Sequence, residues 1–211
     1  MIIFVDINFS SVVSNRGVVV STPGYKCSRI PIVFATLSIA VPLIFIAMAA
    51  TLSGWFNIYE NALSDLGHAV KSNVAWIFNL GLTLGGALII ATSVKYIVDA
   101  DRLVGGLILF MGYALILVGT FDKVYRELHF QVSALFFILL LLTVLIYPIR
   151  SGKKKIVPIA VLVIVVNIIV WYFHFASRIP PGAAIPELIS VFSALYFYID
   201  AVKHYSLKTC K

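Results

Sequence analysis

FQVSALFFILLLLTVLIYPI (130–149), then RSGKKK (150–155), then IVPIAVLVIVVNIIVWYFHFA (156–176) is the stretch that decides the fold. Two apolar runs of about the 20 residues that cross a hydrocarbon core flank a short, strongly basic turn. Neither run alternates, and an open strand in lipid would leave its backbone groups unpaired, so both read as helices. The basic turn reads as a cytoplasmic anchor by the positive-inside rule. Two antiparallel spans joined inside the cell are thus the seed of the architecture.

The same reading extends outward. Four more apolar runs occupy about Ile30 to Leu52, Val74 to Val98, Leu103 to Phe121 and Ala184 to Val202. The expected fold is therefore all-α: a polytopic bundle of six transmembrane helices over residues 30–202. Residues 1–29 read as a cytoplasmic or surface-lying tail, and 203–211 as a basic cytoplasmic tail. With 61% hydrophobic and 12% charged residues, the chain has too little polar surface for a water-soluble globule. Twelve of the 16 Lys and Arg fall in the tails and in the loops 95–102 and 150–155. That asymmetry places both termini in the cytoplasm and the chain in the cell membrane. It also accounts for the net charge of +7 without nucleic acid, for which no reader motif exists. Cys27 and Cys210 flank the first and last spans on the reducing side, so no disulfide is expected.

Small residues mark where helices meet. Gly81, Gly85 and Gly86 on the second span, and Gly105, Gly112 and Gly119 on the third, lie on faces that let backbones approach. Packing within the chain is the expected use. Pro42 lies in the middle of the first span.

Polar residues gather on the other side of the membrane. The longest loop contains Asn61-Ala-Leu-Ser64-Asp65-Leu-Gly67-His68, where Asn61 is placed to cap a short surface or re-entrant helix carrying Ser64 and Asp65. The next outer loop runs Asp122-Lys-Val-Tyr-Arg126-Glu127-Leu-His129, with Ser133 one helical turn further on. On the fifth span Asn167, Trp171, His174 and Arg178 share a face. On the sixth, Glu187, Ser190 and Ser193 form a stripe. Asn79 lies near the outer mouth of the second span. Polar groups at membrane depth turn inward, so these stripes are expected to converge on one outward-opening pocket.

The chain resembles a known family at these residues. Asn61-Ala-Leu-Ser64-Asp65-Leu-Gly67 with Phe78-Asn79-Leu-Gly81 is similar to the first motif of the membrane family catalogued as domain of unknown function 998. Gly119-Thr-Phe121-Asp122, His129 and Ala134-Leu-Phe-Phe137 resemble its second motif. Gly182-Ala-Ala-Ile-Pro-Glu187 resembles its third. Asp122 stands where that family usually has proline, and its pattern has no fixed histidine at His68. The resemblance implies a multi-pass membrane protein and carries no activity.

Function is read from the polar set. Asp65, Asn79, His129, Ser133, His174, Arg178 and Glu187 are the expected ligand-binding residues, for a lipid headgroup, an ion or another small ligand, with membrane lipids as partners. The same groups also suit a purely structural network, with Glu187 pairing Arg178. The alternative is a metal-dependent hydrolase acting on a lipid ester or amide. Asp65, His129 and His174 are then the candidate catalytic and zinc-binding residues. Whether the chain is an enzyme is left open by its sequence. Lys123 and Arg126 read as rim charges, and His68 as a solvated loop residue.

Overall fold

Six helices form where the apolar runs lie in a computed structural model that describes residues 29–209. They are α1 (Ile30–Ser53), α2 (Ala75–Tyr96), α3 (Arg102–Thr120), α4 (Glu127–Arg150), α5 (Val157–Ser177) and α6 (Ala184–Thr209). All six are long and apolar enough to cross a membrane. The tail 1–28 and residues 210–211, with Cys27 and Cys210, lie outside the described residues.

Local chemistry sets the ends. Proline occupies the first turn of α1 and of α5, where no backbone donor is missed. The buried Asp101 carboxylate caps α3, accepting the Leu103 and Val104 amides at 3.1 Å. Gly54 follows α1 with φ 74°, a left-handed cap that glycine adopts without strain.

α1 packs against α2 and α6, α2 against α3, α3 against α4, and α4 against α6, which closes a ring. α5 stands outside it, touching α4 and α6. Its buried residues are Ala160 and Asn167. Lipid tails are as apolar as leucine, so close packing rather than water exclusion must hold such helices together. The glycines permit it within the chain. A Cβ at Gly85 would stand 2.7 Å from the Pro42 ring, and one at Gly112 would stand 2.8 Å from the Gly86 carbonyl oxygen. Outward-facing side chains such as Ile44, Phe110, Ile138 and Leu162 are exposed, as a lipid-facing surface requires.

Two end groups of the bundle differ in chemistry. The basic end carries residues 97–101, 151–156 and the last turns of α6. There Asp101 also accepts from Arg150 Nε at 3.1 Å and the Tyr205 hydroxyl at 3.2 Å. Asp200 accepts from Lys153 Nζ at 2.7 Å and from the Tyr147 hydroxyl at 2.7 Å. These bonds tie α3, α4 and α6 together. They also explain why α6 continues past Val202 instead of ending in a loose basic tail: Tyr205 is buried and needs the helix to reach Asp101. Burial pushes the Asp101 carboxyl upward. The Val104 amide, the Arg150 guanidinium and the Tyr205 hydroxyl outweigh it and hold the carboxyl below its ordinary value.

Candidate functional site

The opposite, loop-rich end is organised around residues 54–74. Asn61 does not cap a helix here. Its Oδ1 accepts the Asn57 amide at 2.8 Å, closing the preceding turn. The single 3-10 turn Leu63–Asp65 follows, capped instead by Asp65, whose Oδ2 accepts the Ala62 amide at 2.8 Å. An acceptor placed three residues after a turn begins can fold back on it, and Asp65 does so where Asn61 is already spent.

All three motif segments meet at this turn. Gly182 donates its amide to the Tyr59 carbonyl at 2.8 Å, and Ala184 to that of Asn61 at 3.0 Å. Only glycine fits at 182, because a Cβ there would run into the Asn61 backbone. Glu187 Oε2 accepts the buried Leu63 amide at 2.7 Å. From the α3–α4 loop, Lys123 bonds Asp65 Oδ1. Asp122 accepts the Val124 amide at 2.8 Å and reaches the Ala69 amide at 3.3 Å. Asn79 on α2 donates Nδ2 to the Gly67 carbonyl at 3.0 Å. Sequence positions 58 to 124 residues apart are thereby joined through one tetrapeptide.

The two span histidines are oriented by carbonyls. His129 Nδ1 donates to the Phe121 carbonyl at 2.8 Å, and His174 Nδ1 to that of Pro180 at 2.9 Å. A carbonyl only accepts, so Nδ1 carries a proton in each ring. The Ser133 hydroxyl approaches His129 Nε2 at 3.4 Å. A backbone carbonyl thus stands behind each ring, where a nucleophilic triad has its orienting acid.

A cleft of about 1070 Å³ runs between α4 and α5 from this end. Asp65, His68, Lys71, Lys123, Arg126, His129, Ser133, His174 and Glu187 line its polar part. Phe130, Ala134, Phe137, Ile138, Leu141, Ile168 and Phe175 line the rest. On its floor α5 is fastened to α6: Asn167 Nδ2 bonds the Ser193 hydroxyl at 3.2 Å, and Trp171 Nε1 the Ser190 hydroxyl at 3.0 Å. The stripes expected on these two helices therefore face one another.

Five of the seven expected ligand-binding residues share the cleft: Asp65, His129, Ser133, His174 and Glu187. Asn79 does not line it and holds loop backbone instead. Arg178 is exposed at the left-handed cap of α5, with φ 53°, and Glu187 turns to Leu63 rather than to it. Asp65, His129 and His174 are not assembled as a zinc set. Among the described residues, no three His, Cys, Asp or Glu side chains are placed to hold a metal. Asp65 already spends its oxygens on Ala62 and Lys123. Lys123, read from sequence as a rim charge, is a partner of that acid. Its only signal was opposite charge across a long separation. His68, read as solvated, lines the cleft.

No curated protein and no solved structure gives a significant match. A family described as "Protein of unknown function (DUF998)" matches residues 36–200, which includes all three motif segments and most of the six helices. The chain is a multi-pass membrane protein and belongs to that family.

Proposed function

We propose that the cleft binds an amphiphilic lipid by its headgroup. One observation carries this reading: polar and apolar linings occur in a single cleft, and its walls continue onto the lipid-facing surface through the exposed Phe130, Ile138 and Ile168. A lipid moving sideways from the membrane meets apolar walls first and polar groups at the end. Asp65 and Glu187 are occupied by backbone or by Lys123, so they build the floor of the mouth. Lys71 and Arg126 line the mouth and have no acidic partner among the described residues. Nε2 of His174 adds a polar position. That balance favours an anionic, phosphate-bearing headgroup.

The basic end faces the cytoplasm in this reading, with both termini there, and the mouth opens on the other side of the cell membrane. A reporter fused at Lys211 reads out as cytoplasmic; an extracytoplasmic signal would reverse the orientation. For the ligand, purified protein in neutral detergent is titrated with phosphatidylglycerol. Saturable binding is expected, weakened about tenfold by Lys71→Ala with Arg126→Ala, a loss of about 1.4 kcal/mol. Equal binding of diacylglycerol, which has no phosphate, would remove the headgroup from the proposal.

A further inference from the structure

A second cavity, about 140 Å³, lies inside the ring of α1, α2, α3, α4 and α6. Pro42, Ile46, Phe78, Leu82, Phe136 and Leu140 are among its walls. Its few polar side chains lie mainly at its two ends. Deep in the bundle, the Ser38 hydroxyl bonds the Tyr198 hydroxyl at 2.8 Å and the Ala35 carbonyl at 2.8 Å, so that pair is satisfied without water. At the other end stand Ser64, Ser133, Phe137 and Glu187, and these four residues line the cleft as well. The chamber and the cleft are therefore divided by a partition one side chain thick.

An apolar cavity stays dry and accepts an apolar guest, which restores the dispersion contacts its walls lack. The dimensions select the guest. Glu187 and Tyr198 line opposite ends of the chamber along α6. Their separation of 11 helical steps is about 16 Å at about 1.5 Å per residue. One leaflet is half of a core about 30 Å thick. At about 140 Å³ the chamber is on the scale of a cavity that holds one benzene-sized guest, so it takes a segment of about six carbons rather than a leaflet-long chain, and its end nearest the cleft is its polar one.

We infer that the chamber houses a short segment of one aliphatic chain of the bound lipid, which enters past Ser133 and Phe137 of α4 and Glu187 of α6. This rests on the headgroup reading of the cleft and adds where the chain goes. The head stays among Lys71, Arg126 and the histidines, and that segment of the chain leaves the membrane for the protein interior.

The test uses the purified full chain and a single-chain phosphatidylglycerol carrying a diazirine at mid-chain. After photolysis, label is expected on chamber residues such as Leu82, Leu140 and Tyr198, and unlabelled phosphatidylglycerol should compete it away. Saturable label confined to Ile138, Leu141 and Ile168 overturns the chamber and leaves the headgroup reading intact. Label that unlabelled lipid does not compete overturns both. Val191→Phe, which adds a ring to the chamber wall, should remove chamber label and weaken the long-chain probe about tenfold. A short-chain analogue with the same head should bind as before. An unchanged label pattern in that variant counts against the inference.

Discussion

Gly112→Ala is expected to force α2 and α3 apart. A Cβ at Gly112 would lie 2.8 Å from the Gly86 carbonyl oxygen and 3.0 Å from Ile89 Cγ2 and Ile90 Cγ1. Comfortable carbon contacts are about 3.5–4.0 Å, so the overlap is roughly 0.5–1 Å. The nearest atom is helix backbone, which cannot rotate away as a side-chain end does. Overpacking of this kind costs about 1–3 kcal/mol. Gly106 lies on the same helix, and a Cβ there would meet nothing within 4 Å. Gly106→Ala should instead gain about 0.5–1 kcal/mol from lower backbone entropy in the unfolded chain. The two variants make the same chemical change and should differ by about 1.5–4 kcal/mol. Reversible unfolding of the purified protein in mixed micelles measures that gap. The wedge should also loosen the loop end, because Gly119 one face further along sits against the Asn79 carbonyl oxygen, where a Cβ would be 2.8 Å away. Stabilities of Gly112→Ala and Gly106→Ala within 0.5 kcal/mol of each other, a gap ordinary for surface sites, would refute backbone contact between α2 and α3.

Other outcomes follow from the polar contacts. Glu187→Ala leaves the buried Leu63 amide without its acceptor and should cost about 1–3 kcal/mol, with faster amide exchange at residue 63; Glu187→Gln keeps an acceptor and should cost less. Lys123→Met should cost no more than about 1 kcal/mol in the same unfolding assay, because its ion pair with Asp65 leaves the lysine 38% exposed. For Asp101, the folded carboxyl titrates below its ordinary value, so the unfolded chain binds more protons as pH falls. Its contribution is present above an unfolded pKa of about 3.9 and is lost as pH drops through the lower folded value. Asp101→Asn should therefore flatten the acid limb of a stability–pH curve, and an unchanged slope below about pH 4 would show that the carboxylate is not linked to folding.

Some of this was readable along the chain. The run from Phe130 to Ile149 is a helix from Glu127 to Arg150 because it is predominantly apolar over the length of a span and only a helix pairs its backbone alone. The facing stripes of Asn167 and Trp171 with Ser190 and Ser193 were readable too, since helical spacing sets a face and lipid drives polar faces inward. Pairing between distant loops was not. Nothing near Glu187 distinguishes Leu63 from Arg178 as its partner, and Asp65 shows no local preference for Lys123.

Hydrophobic length, period and charge asymmetry are properties of consecutive residues, so the sequence by itself determined six helices, all of their ends but the last to within a few residues, and the end of the bundle at which polar groups collect. Where α5 stands is a property of the whole bundle. It depends on which helices close the ring, and that rests on contacts such as Gly85 against Pro42 and Tyr205 reaching Asp101. Only the tertiary structure placed α5 outside the ring, opened the cleft beside α4 and left the chamber within, because packing voids arise from the joint shapes of elements far apart in sequence.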